Sequence, residues 1–201
     1  DVVEVAAGEP IPASGDLYVL GGGEDTAQTA AARAIREDGS LHTAVDNGAA
    51  VLAVCAGYQL LGEYFPDGQG QPAPGLDLID IRTDRLPTRA VGELAADPVS
   101  LDLPRLSGYE NHGGATHRGP DVAPLARVLA GVGNGDGTEG AVSGHIVGTY
   151  LHGPGLARNP RLADTLLGWC IGEDLPALEQ PEVDALREER LRTVLGERWN
   201  S

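Results

Sequence analysis

Residues 49–54 are an unbroken apolar run that passes without a spacer into Cys55-Ala56-Gly57, and the stretch after it, residues 58–65, reads as helical. A run of that kind is a strand buried on both faces, and a strand that turns at once into a helix is the unit of layered α/β domains. A side chain on such a turn projects from the carboxyl end of the sheet. The helix start behind it offers backbone N–H groups and the positive end of a dipole, which favour thiolate over thiol. Cys55 therefore reads as a nucleophile on an elbow, against the plainer alternative of a small buried cysteine in a core strand.

The rest of the chain repeats the pattern. Residues 16–20 form a strand ending in Gly21-Gly22-Gly23, and residues 25–38 a helix stopped by Gly39. From about residue 75 to 129 the helical period is lost. Short strand-like pieces such as residues 76–81 alternate with Pro, Gly and Asn, which predicts hairpins at the sheet edge. Residues 131–140 hold five glycines and read as a flexible turn. Residues 145–151 are another strand, Asn159-Pro160 a helix start with Asn as the cap, and residues 181–198 a C-terminal helix. The expectation is one domain over residues 1–201. The first residue is Asp1 and there is no Met, which predicts a natural start upstream and a missing N-terminal strand or strands.

A thiol nucleophile needs a base, and the chain has five histidines. His42 falls on a helix expected to be exposed, His117 in a polar loop, and His145 at the opening of a strand. His152 stands just past the end of a strand among glycines, as Cys55 does, and two such strand ends can face each other across a cleft. His112 is the second candidate. The glycine loop at 21–23 is either a tight turn or an oxyanion-binding loop.

Charge excludes other roles. All 14 basic residues are Arg, against 30 acidic ones, and the net charge is -16. Nothing there would neutralise nucleic-acid phosphates or dock on anionic lipid. With no Lys there is no Walker loop, so ATP binding is not expected on this chain. No run approaches the roughly 20 apolar residues of a membrane span, no secretory signal is visible, and two cysteines make no disulfide framework. Reduced thiols in the cytoplasm are the expectation.

Three blocks together resemble the class I (triad) glutamine amidotransferases of the branch that includes cobyric acid synthase amidotransferase domains. They are Leu20-Gly21-Gly22-Gly23, the segment from Ala53 through Cys55 and Gln59 to Gly62, and Gly148-Thr149-Tyr150-Leu151-His152-Gly153-Pro154. The resemblance implies a flavodoxin-like α/β fold, with a central, mostly parallel sheet flanked by helices and a β-rich segment in the middle. Within that branch, Gly108 to Gly114 is similar to the glutaminase subunits of lipid II isoglutaminyl synthases. Those subunits pass ammonia to an ATP-using, Mur-ligase-like partner that amidates the D-glutamate of the peptidoglycan stem peptide.

The site residues the resemblance implies are Cys55 as nucleophile, His152 as base, and the N–H groups of Ala56 and of Gly22 or Gly23 as oxyanion hole. Arg89 would take the α-carboxylate of glutamine, and Gln59, Asn111 and His112 would line the pocket. No metal is implied, and ATP and Mg are expected on the partner. One departure is plain. The family's usual Glu two residues after the histidine is Pro154 here, so the third triad residue is expected from the partner or, within the chain, from Glu110. Rival readings are the ammonia supplier of another synthase, such as corrinoid amidation, a catalytically silent regulatory subunit, and an unrelated cysteine hydrolase.

Overall fold

The computed structural model describes residues 1–200. The elements that build the site are β1 (Leu17–Leu20), α1 (Asp25–Asp38), α2 (Ser40–Asp46), β2 (Ala50–Val54) and α3 (Ala56–Leu60). There follow β3 (Tyr64–Pro66), β4 (Pro72–Pro74), β5 (Ile81–Pro98), β6 (Leu106–Arg118) and β7 (Ala126–Ala130). The chain closes with β8 (Thr138–Glu139), β9 (Ala141–Ser143), β10 (Ile146–Thr149), α4 (Gly155–Arg158), α5 (Pro160–Ile171) and α6 (Pro181–Leu195).

A four-stranded sheet has the order β1-β2-β10-β9, with β2 parallel to both neighbours and β9 antiparallel to β10. The first crossover, through α1 and α2, leaves β1 on one side of β2. The long excursion from α3 to β9 puts β10 on the other. β2 is thus flanked by parallel strands on both sides, and open α/β sheets place their ligands outside the carboxyl ends of such strands.

Burial on both faces explains the unbroken apolar run. Val51 and Ala53 pack with Leu41, Tyr58, Leu61 and Ile146 on one side. Leu52 packs with Val147, Leu151, Leu162 and Leu166 on the other. Each fully buried Val or Leu contributes about 1.5–3 kcal/mol, so the strand that carries Cys55 is the firmest part of the molecule.

The β-rich middle is a second sheet in which β5 and β6 pair antiparallel from Ile81↔Arg118 to Ala96↔Leu106. The pairing jumps from Arg85↔Gly114 to Ala90↔His112. The extra residues of β5 leave the ladder there and are re-aimed, as in a bulge. Arg89 lies in that interruption.

The structure departs from the sequence reading at several elements. The helix expected over residues 58–65 is α3, which ends at Leu60 and gives way to β3. Gly62 lies against the Ile81 backbone, where an added Cβ would sit 2.2 Å from the carbonyl oxygen, so the chain cannot coil on there. The stretch 76–80 is not a strand. Its N–H groups donate to the carbonyls that α3 leaves free, Leu76 to Leu60 and Leu78 to Leu61, while Leu76 and Ile79 are buried. Asn159 stands at the N-cap of α5 with Pro160 after it, as expected, but its side chain makes no cap bond; it accepts from the Ser107 N–H and donates to the Ser107 carbonyl, clamping α5 to β6. The last helix, expected over 181–198, ends at Leu195 and continues as a 3-10 turn. Among the described residues no helix is long and apolar enough to cross a membrane.

Candidate active site

Cys55 has φ 54 and ψ −109, a backbone region that residues with a Cβ avoid at a cost of roughly 1–3 kcal/mol. Surrounding bonds hold it there. Its N–H donates to the Thr149 carbonyl at 2.9 Å, its carbonyl accepts from the Gln59 N–H at 3.0 Å, and the Gly57 N–H reaches back to the Gly21 carbonyl at 3.2 Å. The elbow is thus tied to β10 on one side and to the glycine loop after β1 on the other. Burial pushes the Cys55 thiol pKa up, and the Ala56 N–H and the Arg89 guanidinium pull it back only in part. The resting group is a thiol, and a nucleophile in that state needs a base.

His152 follows β10, and its N–H donates to the Tyr109 carbonyl at 2.6 Å. Burial, then the charges of His112 and Arg89, push its imidazole below the usual histidine value. The ring is therefore neutral near pH 7, the state a base requires. Its Nε2 is buried and has no hydrogen-bond partner. Gly22 sits between the two residues. A Cβ built there would lie 3.3 Å from His152 Cε1 and 3.6 Å from Cys55 Cβ. Only a glycine leaves that gap between thiol and imidazole open. The N–H groups of Gly22 and Gly23 make no hydrogen bond within the described residues, so both are free to meet an oxyanion. Gly22 borders the couple; Gly23 has nothing within 4 Å of its Cβ position.

Arg89 comes to the same place by way of the bulge. Its Nε donates to Asn111 Oδ1 at 2.7 Å and one terminal nitrogen to the Asn111 carbonyl at 3.2 Å. That carbonyl also lies 3.8 Å from the Cys55 sulfur. Among the described residues no carboxylate pairs with Arg89, so an exposed guanidinium with free donors stands beside the thiol. Cys55, His152, Gly22, Ala56, Arg89 and Asn111 thus converge.

Two expected pocket residues are elsewhere. Gln59 is buried, accepting from Gln28 Nε2 at 2.9 Å and approaching the Tyr150 hydroxyl at 3.4 Å. His112 points to the opposite face of β6 from Asn111, stacked on the Tyr150 ring with centroids 3.6 Å apart. Both are corrected from substrate contacts to supports beneath the site. The other histidines are engaged structurally. His42 is only half exposed and meets the Leu76 carbonyl, His117 lies on β6 and not in a loop, facing Asp84, and His145 stacks on Trp169.

No acid of the described residues orients His152. Pro154 opens α4. Glu110 is committed to the Val132 and Gly133 N–H groups and to His112. Glu139 is committed to the Thr149 hydroxyl and the Tyr150 N–H, and burial raises its pKa to about 7.

A thiol on a strained elbow, a neutral imidazole across a glycine gap and an exposed guanidinium thus meet at the carboxyl ends of parallel strands on an α/β frame. Comparison with known proteins narrows this. The model of the CobB/CobQ-like glutamine amidotransferase domain matches residues 1–160, and the chain belongs to that family. It is 33% identical over 189 residues to the lipid II isoglutaminyl synthase (glutamine-hydrolyzing) subunit GatD of Staphylococcus aureus, covering 92% of this chain and 76% of that one. It is 38% identical over 161 residues to the cobyric acid synthase of Rhizobium leguminosarum, covering 76% of this chain and 32% of that one. A solved glutamine amidotransferase shares the fold, with TM-score 0.58 at 22% identity over 77% of this chain and 79% of that one.

Proposed function

We propose that this chain hydrolyses glutamine and passes the ammonia to an ATP-dependent ligase on a second polypeptide. The observation that carries the reading is the strained Cys55 facing a neutral His152 beside the exposed Arg89 guanidinium, which Asn111 holds in place. The Cys55 sulfur attacks the side-chain amide carbon of glutamine while His152 takes the thiol proton. The oxyanion meets the Ala56 and Gly22 N–H groups, each worth about 2.7–4 kcal/mol in such a role. His152 returns the proton to the departing nitrogen, and ammonia leaves a thioester. Water, deprotonated by His152, then releases glutamate and restores the thiol.

The ammonia acceptor is taken to be the D-glutamate of the lipid II stem peptide, activated by a Mur-ligase-like partner in the cytoplasm. The match to the isoglutaminyl synthase subunits supports this, because it extends over 92% of the chain. The cobyric acid synthase matches cover 76%, which keeps corrinoid amidation as the second reading. We place the missing acid on the partner. Neither ring nitrogen of His152 is hydrogen-bonded among the described residues, and an unoriented imidazole is a poor base. Glutamate release by the chain alone is expected to be about 10²- to 10⁴-fold slower than in the complex, and replacing the partner's interface carboxylate by Asn should return it to the lone-chain rate. Full activity of the lone chain would reject the shared triad, and no activity in any arm would favour the silent-subunit alternative.

A diazo-ketone analogue of glutamine is expected to alkylate Cys55 and spare Cys170. The second thiol lies on α5, bonded to the Leu166 carbonyl, with no base beside it. Peptide mass spectrometry with the adduct on Cys170 alone would reject the nucleophile. Arg89→Ala is expected to cost roughly 2–4 kcal/mol of substrate binding, about a 30- to 1,000-fold rise in KM, without a change in melting temperature. Unchanged glutamine dependence would return Arg89 to a surface charge.

A further inference from the structure

Strand β6 presents opposite faces to two environments. Tyr109 and Asn111 face the site, and Glu110 and His112 face the interior, each 2% exposed. The outward pair meets the active site through main-chain carbonyls. Tyr109 O accepts from the His152 N–H, and Asn111 O lies against the Cys55 sulfur and Arg89.

The inward pair is a closed unit. Glu110 Oε1 accepts from the Val132 N–H at 2.7 Å, and Oε2 from the Gly133 N–H at 2.9 Å. His112 Nε2 approaches Oε2 at 3.4 Å, and Nδ1 meets the Gly114 carbonyl at 3.0 Å. Burial works against ionisation of Glu110, but the bonds from His112, Gly133 and Val132 outweigh it and hold the carboxyl below its usual range. Both ring nitrogens thus face oxygen atoms, the Glu110 carboxylate on one side and the Gly114 carbonyl on the other. The ring also stacks on Tyr150, two residues before His152. Glycine serves this unit at Gly131, where φ is 105 and a Cβ would lie 2.9 Å from Glu110 Oε1. The turn expected to be flexible is therefore tied down.

We propose that Glu110 and His112 form a buried positioning pair for the thiol–imidazole couple, pinning β6 between the 131–133 turn and Tyr150 so that its outward carbonyls hold His152 and Cys55 in register. The proposal rests on the reading of Cys55 and His152 as nucleophile and base. The pair also acts on the pKa of the base. Tyr150, Arg89 and His152 are the titratable or charged groups around it on the site side, and Glu139 of β8 has its pKa raised in part by Glu110. His112 is one of the causes that hold the His152 pKa down, so its replacement by Gln should raise that pKa and move the acid limb of reactivity to higher pH.

The test is the rate of Cys55 alkylation by the diazo-ketone on the full chain, read by intact mass against pH and probe concentration. Glu110→Gln and His112→Gln are each expected to slow the maximal rate about 10- to 100-fold, with half-saturation within about twofold. The acid limb should rise by roughly 0.5–1 pH unit in His112→Gln, and the double variant should be no worse than either single one. Should Glu110→Gln unfold, Glu110→Asp keeps the charge and loosens only the contact, and the slower maximal rate with unchanged half-saturation is expected from it. A loss that tracks melting temperature, with the acid limb of His112→Gln unmoved, would overturn the proposal and leave the pair a core contact. Failure of the probe to label Cys55 in the unmodified chain would remove the nucleophile reading, and the proposal with it.

Discussion

His152→Ala is expected to lower glutamine turnover about 10³- to 10⁴-fold in the assembled enzyme while leaving the fold intact. Two physical points set the size. The Cys55 thiol has its pKa raised by burial, so little thiolate exists at neutral pH without a base. The imidazole is also the group positioned to protonate the departing nitrogen, so both proton transfers are lost together. The fold should tolerate the change, because the ring makes no hydrogen bond and what ties the residue down is its main-chain bond to Tyr109. His112→Ala should be at least tenfold milder in turnover and costlier in stability, since it leaves Glu110 buried without its ring partner. The pH profile gives a second check. Reactivity needs neutral His152, and in the chain alone, where no carboxylate of the described residues reaches the ring, its pKa is depressed, so the acid limb of Cys55 alkylation should lie below the ordinary 6.5. A limb above 6.5, or a collapse of turnover in His112→Ala alone, would assign the base elsewhere.

The legible part of this site is the part written in strand ends. An apolar run ending in Cys-small-Gly fixes both the elbow and its place at the carboxyl end of a central strand, and a second run ending at His152 fixes the facing residue. The less legible part depends on which face of a strand a polar residue takes. Residues 109–112 are Tyr, Glu, Asn and His, all polar or amphipathic, so the period of two gives no inside or outside. Only the packing on Tyr150 shows that Glu110 and His112 turn inward and Asn111 outward. Residues 76–80 mislead for a related reason. They have a strand's composition, but the free carbonyls at the end of α3 take their N–H groups first. Asn159 likewise had two uses for its amide, and the clamp on Ser107 prevailed over the helix cap. The bulge that delivers Arg89 has no composition signal, because it arises from a count of residues between two paired registers.

Gly57→Ala is expected to damage both the stability of the fold and the reactivity of Cys55. The added Cβ would lie 2.4 Å from the Leu20 carbonyl oxygen and 2.8 Å from both the Leu20 carbonyl carbon and its Cβ. Two of those three atoms are backbone of a paired strand, with Leu20 in register with Ala53, so no rotamer change can relieve the clash. Either β1 slides away from β2 or the elbow opens, and overpacking of this kind costs about 1–3 kcal/mol and occasionally more. In a chain of this length that is a fall in melting temperature of roughly 2–12 °C. The same displacement strikes chemistry. The Gly57 N–H is bonded to the Gly21 carbonyl, so moving it shifts the glycine loop relative to Cys55, and a misplacement near 1 Å costs about 10²-fold in rate. Two neighbours provide the scale. Gly22→Ala should spare stability but slow alkylation of Cys55, because its methyl meets the His152 ring at 3.3 Å. Gly23→Ala should be nearly silent in both, since nothing lies within 4 Å and the N–H it offers is retained. Thermal melts and diazo-ketone labelling of the three variants should rank Gly57, Gly22, Gly23 in labelling and set Gly57 apart in stability; a Gly57→Ala chain with unchanged melting temperature would mean that the elbow is not packed against β1 as described.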